Sequence, residues 1–355
     1  MRRPSPADAA GEPADGADDG AGSSAPPRIK AKIGVVIVNF RTPKLVIDCL
    51  KSMSNQLELN DARVIVVDNK SGDGSPEKIN AFLTAEDNGA EQESWKRRVS
   101  LVRSRSNGGF SAGNNLGLSF LDAAYYVLLN SDAALRRGAL AALIASAEAH
   151  PGAGVIGPRI ETEAGEPQHS AFNAISPMSE FFGAVRLDVL YRLFPFARVA
   201  PDIEDAPWEP DWVSFACVLI RREAFDAAGP LDDGFFMYFE DADYCRKVRQ
   251  AGWSILHDPN PRVAHLIGQS SAVQSALDGK KRPPAYYYAS RTRYFRKRYG
   301  PLGPTLANLA WHAGRGISVL RRLASQEPPP ICHMQGRDIW LNWRTPLGDR
   351  HAPDR

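Results

Sequence analysis

The feature that most narrows what this chain can fold into is the alternation, from Lys32 onward, of short apolar runs rich in β-branched residues with longer stretches of helical spacing. Ile33-Gly34-Val35-Val36-Ile37-Val38 reads as a strand, Leu45, Val46, Cys49 and Met53 recur at helical spacing after Pro43, and Val64-Ile65-Val66-Val67 reads as a second strand. Together these make a β-α-β unit. The pattern continues with a helix from Pro76 to Leu83, a strand over Val99–Val102, a helix from Ser111 to Leu121, a strand over Tyr125–Leu129, a helix over Ala139–Ala149 and a strand over Gly154–Gly157. Strands this uniformly apolar have neither face in water. The fold class is therefore α/β, Rossmann-like, with a mostly parallel central sheet and helices on both faces.

Between Glu161 and Pro210 the periodicity fades, and Phe172, Phe181, Phe182, Leu190, Tyr191, Phe194 and Phe196 are scattered among prolines. That is the pattern of an insert or of a loop facing a substrate. Order returns with a strand over Asp211–Ile220, a short helix over Arg222–Ala227, strands over Trp253–Leu256 and Arg262–Ala264, and a basic helix over Ala285–Tyr299. The first 28 residues are Pro, Ala, Gly, Ser and Asp with almost nothing to bury, so a disordered tail is expected there, and an acidic loop over Glu86–Glu93. Arg2 and Arg3 are not followed by the apolar core of a secretory signal, which predicts a cytoplasmic protein. The chain thus divides into a tail (1–28), a main domain (29–300), and a C-terminal helix and tail (301–355).

Composition excludes some classes. Leu302–Leu323 is interrupted by His312, Arg315, Arg321 and Arg322, so it cannot supply the roughly 20 apolar residues of a spanning helix, and any membrane contact would be peripheral, at the inner face. Cys49, Cys217, Cys245 and Cys332 are far apart and form no Cys-x-x-Cys pair, against a zinc knuckle or a disulfide framework. A net charge of +2 does not by itself make a nucleic-acid binder, which needs a basic face with stacking aromatics, and nucleic acid is the least expected partner of the basic helix.

In open α/β sheets ligands lie at the carboxyl ends of the strands. Asn39 and Phe40 follow the first strand, Asp68 and Asn69 the second, Asn107-Gly108-Gly109-Phe110-Ser111-Ala112-Gly113-Asn114 the third, and Asn130-Ser131-Asp132 the fourth. Any one of these residues alone is explained by capping a helix or closing a turn, but their agreement marks one rim. The glycine loop is not a dinucleotide fingerprint, because its spacing is not Gly-x-Gly-x-x-Gly and it follows the third strand. It still lets backbone approach a ligand closely before a helix. Further on, Phe235-Phe236-Met237-Tyr238-Phe239 leads directly into Glu240-Asp241-Ala242-Asp243 and an amphipathic helix ending near Gly252. These acids either complement the helix dipole or, carried into a poorly solvated place by the aromatics, include a general base.

Six motifs in order resemble the family 2 glycosyltransferases with the GT-A fold, the bacterial rhamnosyltransferase-like branch above all: Val66-Val67-Asp68-Asn69 with Ser71-Gly72-Asp73-Gly74-Ser75; Asn107 to Asn114; Leu128-Leu129-Asn130-Ser131-Asp132; the Trp212 strand with Arg221-Arg222-Glu223-Ala224-Phe225; Phe239-Glu240-Asp241-Ala242-Asp243; and Val263-Ala264-His265. The likeness spans roughly Lys32 to Gly300. It implies inverting transfer of a sugar, a deoxyhexose such as rhamnose, from a nucleotide-diphosphate sugar to a glycan or lipid-diphosphate-linked glycan in cell-surface polysaccharide synthesis. On that resemblance Phe40, Asp68, Asn69, Gly109, Asn114, Asn130 and Asp132 bind the donor. Asp132 and His265 hold Mg²⁺ or Mn²⁺ against the diphosphate, and a hard cation with oxygen ligands suits that task. Asp241 is the base, while Trp212, Glu240, Asp243, Arg291 and Arg293 face the acceptor.

The chain departs from the family pattern at Asn130, where an aspartate is frequent, at Ser131, where this branch often has Pro, at Ala133, where Thr is usual, and at Phe215, where Gly is usual. The first two changes imply a weakly held metal. Two rival functions follow: a non-catalytic sugar-nucleotide or polysaccharide-binding protein on the same fold, and a nucleotidyltransferase using the same carboxylates.

Overall fold

The apolar runs assemble into one sheet. The computed structural model describes residues 28–85, 94–265, 272–321 and 330–348, so the tail expected over the first 28 residues (all but Arg28) and the acidic loop at 86–93 lie outside the described residues. In chain order the elements are β1 (Ile29–Asn39), α1 (Pro43–Leu57), β2 (Ala62–Asp68), α2 (Ser75–Thr84), β3 (Val99–Arg103), α3 (Gly109–Ser119), β4 (Leu121–Asn130), β5 (Ala133–Leu135), α4 (Ala139–Ala149) and β6 (Ala153–Glu161). Then come β7 (Ala171–Phe172), α5 (Pro177–Val185), α6 (Asp188–Leu193), β8 (Trp212–Val213), β9 (Cys217–Arg221), α7 (Arg222–Ala228), α8 (Glu240–Gln250), β10 (Ser254–His265), α9 (Ala272–Asp278), α10 (Ala285–Tyr299), α11 (Gly303–Leu320) and α12 (Gln335–Asp338).

The central sheet has the order β3-β2-β1-β4-β9-β6-β10-β5. β3, β2, β1 and β4 are mutually parallel, as are β6 and β10, while β9 runs antiparallel between β4 and β6. Ile33, Val35 and Ile37 point into one apolar layer with Val46, Leu50, Met53 and Leu140 of α1 and α4. Val36, Ile65 and Val67 point into the other with Leu118, Tyr244 and Val248 of α3 and α8. Both faces of each strand are thus covered, which is why these runs do not alternate with polar residues.

Two predicted elements differ from what forms. The strand expected over Asp211–Ile220 is broken at Ser214–Ala216: β8 pairs with β7 in a separate small sheet, while β9 joins the central one. The Ser214 Oγ accepts the Ala216 N–H at 3.2 Å and the Ala216 carbonyl accepts Asn130 N–H at 2.9 Å, so the chain turns to change sheets. The two strands expected over Trp253–Leu256 and Arg262–Ala264 are one strand, β10, with a register shift between Asp258 and Arg262 that accommodates Pro259 and Pro261.

The irregular stretch after Glu161 contributes α5, which packs along α11. Ala184, Tyr288, Trp311 and Ile339 form a small core joining α5, α10, α11 and the residues after α12. No helix among the described residues is long and apolar enough to cross a membrane.

Candidate active site

Asn39, Asp68 and Asn130 end adjacent parallel strands nearly in register, with Asn39 opposite Asp68 and Val38 opposite Asn130. The sheet order reverses between β1 and β4, which opens a crevice beyond their carboxyl ends. A cavity of about 800 Å³ fills it, a size ordinary for small-molecule sites.

One wall comes from the strand ends. Phe40, Thr42, Asn69, Asn107, Gly109, Asn130, Ser131, Asp132 and His265 all line the cavity. Its polar groups hold one another. Asn69 Nδ2 donates to Asn107 Oδ1 (3.2 Å) and to the Gly109 carbonyl (2.8 Å), leaving its Oδ1 buried without a partner. Thr42 Oγ1 lies 3.2 Å from Ser131 Oγ. His265 Nε2 lies 3.1 Å from Asp132 Oδ1 and 3.4 Å from Asn130 Nδ2. Two cis ligands about 2.1 Å from an octahedral ion stand about 3 Å apart, so the Asp132–His265 spacing fits one divalent cation. No group of three His, Cys, Asp or Glu side chains that could hold a metal occurs among the described residues. Oxygens of a bound diphosphate or water would have to complete the shell.

The opposite wall is aromatic and carries the acids. Phe172 stacks on Trp212 with centroids 4.1 Å apart and planes at 16°. Phe236, Met237, Tyr238, Phe239, Tyr286 and Tyr287 extend this surface to Glu240 and Asp241. Glu240 is buried, and its Oε2 has no hydrogen-bond partner. Burial first, then the neighbouring Asp241 charge, push its carboxyl well above the usual range, which favours its protonated form. Asp241 keeps some surface open to the cavity. Burial raises its carboxyl to about 7 despite backbone N–H groups, Ala242 foremost, that favour the anion.

The chain reaches this geometry under strain. Tyr238 and Phe239 sit at φ 70° and 68°, a left-handed conformation that costs bulky side chains on the order of 1–3 kcal/mol each. Several anchors hold it. The Phe110 N–H donates to the Phe236 carbonyl at 2.7 Å, and Gly109, at φ 81°, brings the two loops so close that a Cβ would collide with that carbonyl. Ser290 Oγ donates to the Met237 carbonyl at 2.9 Å. Asp232 accepts a two-pronged contact from Arg293 (2.8 and 3.1 Å) and another from Lys297 (2.6 Å). Burial works to raise the Asp232 pKa, but those hydrogen bonds outweigh it and hold the carboxyl well below the usual range.

Five residues expected at the site lie behind its walls. Asp68 is buried, its oxygens taken by Asn39 Nδ2 (2.7 Å), Ser71 Oγ (2.6 Å) and Ser71 N–H (3.1 Å), so it orders the turn after β2 instead of lining the cavity. Asn114 is buried and donates to the Phe110 carbonyl at 3.0 Å. Asp243 bonds Arg246 (3.0 Å) and Lys297. Arg291 is buried against Glu180 (3.0 Å) and Asn308 (2.7 Å), and Arg293 is spent on Asp232. The basic helix α10 therefore braces the loop before the acids through Arg293 and ties to α5 and α11 through Arg291. Phe172, Met237 and Tyr238 line the cavity from the aromatic stretches noted in the sequence, and Tyr286 and Tyr287 of α10 join them without having been singled out.

A mixed sheet with its crevice at the β1/β4 switch point, a polar rim carrying the Asp132–His265 pair and the Glu240–Asp241 carboxyls opposite define an α/β fold of the GT-A class. Similar solved structures agree. A mannosyltransferase from Pyrobaculum calidifontis in complex with GDP-Man and Mn²⁺ superposes with a TM-score of 0.52 at 14% identity, covering 85% of this chain and 79% of that one. GalNAc-T7 with UDP, GalNAc and Mn²⁺ gives 0.50 at 17% identity, covering 85% and 59%. Residues 34–198, a little under half of the chain, match the family model described as Glycosyl transferase family 2.

Among curated relatives, the N-acetylglucosaminyl-diphospho-decaprenol L-rhamnosyltransferase of Mycobacterium tuberculosis is 28% identical over 157 residues, 43% of this chain and 50% of its own length. The low-salt glycan biosynthesis hexosyltransferase Agl10 of Haloferax volcanii is 22% identical over 227 residues, 63% of each chain. The alignments thus span only half to two thirds of those relatives. The family match ends before Trp212, Glu240, Asp241 and His265, so these enter the site on geometry.

Proposed function

We propose that this glycosyltransferase moves a sugar, a deoxyhexose such as rhamnose, from a nucleotide-diphosphate sugar to a hydroxyl of a glycan or lipid-diphosphate-linked glycan, with inversion at the anomeric carbon. The observation that carries this reading is the Glu240–Asp241 pair facing the same cavity as Asp132 and His265. The activity for which the mycobacterial relative is named supports the sugar and the acceptor class. On this reading Phe40, Asn69 and Gly109 cradle the nucleotide. Asp132 and His265 would hold a divalent cation, which, when bound, offsets the charge on the leaving diphosphate.

Asp241 accepts the proton of the acceptor hydroxyl as its oxygen forms a bond to the anomeric carbon and the bond from that carbon to the diphosphate breaks. A carboxylate with a pKa near 7 is ionised often enough to act and basic enough to help. Protonated Glu240 can donate a hydrogen bond to the acceptor without competing for its proton. Phe172 and Trp212 offer a flat apolar face to a sugar ring. A lipid-linked acceptor would put the protein on the cytoplasmic face of a membrane, and the exposed Leu306, Leu309 and Leu320 of α11 support that position.

A screen of nucleotide sugars with and without Mn²⁺ identifies the donor. With it, Asp241→Asn should retain donor binding and lose about 10²–10⁴ in transfer. Equal turnover in both proteins would remove Asp241 as base.

A further inference from the structure

A second cavity, of about 290 Å³, lies beyond Trp212, which faces both spaces. Its lining is cationic: Arg246 and Arg249, one turn apart on α8, and Arg298 from α10, against Asp211 as the one carboxylate. Asp211 accepts from Arg249 at 2.9 Å and from the Ala174 N–H at 2.9 Å, so its oxygens are engaged. Arg246 gives one amine to Asp243 (3.0 Å) and another to Gln250 (2.9 Å), while its buried Nε has no partner. Arg298 donates Nε–H to the Tyr299 hydroxyl at 3.1 Å and forms no ion pair among the described residues. Three guanidinium groups drawn around one half-buried space repel one another, and an oxyanion with several acceptor oxygens is what fixed guanidinium forks bind best. The site described above uses none of the three.

The position matters as much as the charge. Ala242, the residue after Asp241, also lines this second cavity. Arg246 follows Asp241 by five residues of α8, about 7.5 Å along the helix axis. A ligand with its hydroxyl at Asp241 and an anionic group among these arginines therefore spans the length of a sugar bearing a phosphate or diphosphate ester. The diphosphate of the donor has its place on the other wall, at Asp132 and His265.

We propose that Arg246, Arg249 and Arg298, with Trp212 and Tyr294 as flanking rings, form an anion subsite that holds the phosphate or diphosphate ester carried by the acceptor. This rests on the acceptor side assigned under the proposed function, but its first test does not depend on transfer. Inorganic pyrophosphate is titrated calorimetrically into the full chain in metal-free buffer, where the donor side lacks the cation a diphosphate needs. Wild type should bind it, the R249Q/R298Q double variant at least tenfold more weakly, and R298K within about threefold of wild type, with melting curves verifying that each variant is folded. Failure of wild type to bind, or equal binding by the double variant, overturns the subsite.

The second test separates an acceptor-borne ester from a free anion. N-acetylglucosaminyl diphosphate on a short prenyl chain is compared with an uncharged alkyl N-acetylglucosaminide. The double variant should raise KM for the first at least tenfold and leave the second, and donor hydrolysis, unchanged. Pyrophosphate bound without competing against the diphosphate acceptor would mark a free-anion site and overturn the acceptor assignment. Absent transfer with pyrophosphate binding intact would instead overturn the transfer reading alone.

Discussion

The two walls of the main cavity are built on opposite principles. On the strand-end wall, polar groups largely satisfy one another: Asn39 holds Asp68, Asn69 holds the glycine loop, and Asp132 meets His265. On the acidic wall, the chain holds two strained aromatics, an unpartnered buried carboxyl and an aspartate whose ionisation burial resists. The first wall is a preformed receptacle. The second stores unfavourable free energy where, on the proposed function, a proton is accepted, and α10 supplies ion pairs that hold it in place. The family match covers the strand-end wall apart from His265 and stops before Trp212, Glu240 and Asp241.

The contrast breaks most visibly at Asp241. Asp241→Asn should abolish most transfer yet raise the melting temperature. Burial raises its folded pKa to about 7 from the ordinary aspartate value near 3.8, so ionisation opposes folding above pH 4, with the full cost reached above pH 7. The gain in stability should thus be absent near pH 4 and largest near pH 8. A melting-temperature difference that is flat across this range would deny the strained wall its stored energy.

Gly109→Ala tests the junction between the walls. It combines a left-handed φ with a collision against the Phe236 carbonyl, and about 2–4 kcal/mol of stability should be lost in denaturant titrations. A loss below 1 kcal/mol would mean that the two loops are not locked together.

Asp232→Asn should cost about 2 kcal/mol, since the partly exposed Arg293 and Lys297 lose a shared carboxylate. The wild-type contribution is present above the unfolded carboxylate pKa and is lost as pH falls below about 4, because the folded pKa is depressed. The variant's stability should therefore converge on wild type in acid.

The smallest effect is expected at Glu240. Glu240→Gln replaces a protonated carboxyl with a neutral amide, so transfer should stay within about threefold of wild type. A loss as large as that of Asp241→Asn would mean that ionised Glu240 takes part.

Much of this was legible in the chain. Strands such as Val64–Val67 announce themselves because burial on both faces removes alternation, and α10 was bounded correctly at Ala285 and Tyr299 by its neighbours Pro284 and Gly300. The strand-end residues were found because parallel sheets present them at one rim. What stayed hidden depends on partners distant in sequence. Arg291 and Arg293 look like a phosphate-binding pair until Glu180 and Asp232, 111 and 61 residues away, claim them. Asp68 looks like a ligand contact until Asn39 and Ser71 close around it. The break between β8 and β9 is invisible because Ser214-Phe215-Ala216 carries no turn residue stronger than a serine, and the change of sheet is enforced by a bond from Asn130.

The claim that the acidic wall holds a proton acceptor tuned by burial can be read without any substrate. Carboxyl ¹³C resonances of labelled wild-type protein and of Asp241→Asn should be followed from pH 4 to pH 9. One aspartate resonance, missing from the variant, should titrate with a midpoint near 7. If that resonance instead titrates near 4, Asp241 is an ordinary solvated carboxylate at the start of a helix, and the account of the site is wrong.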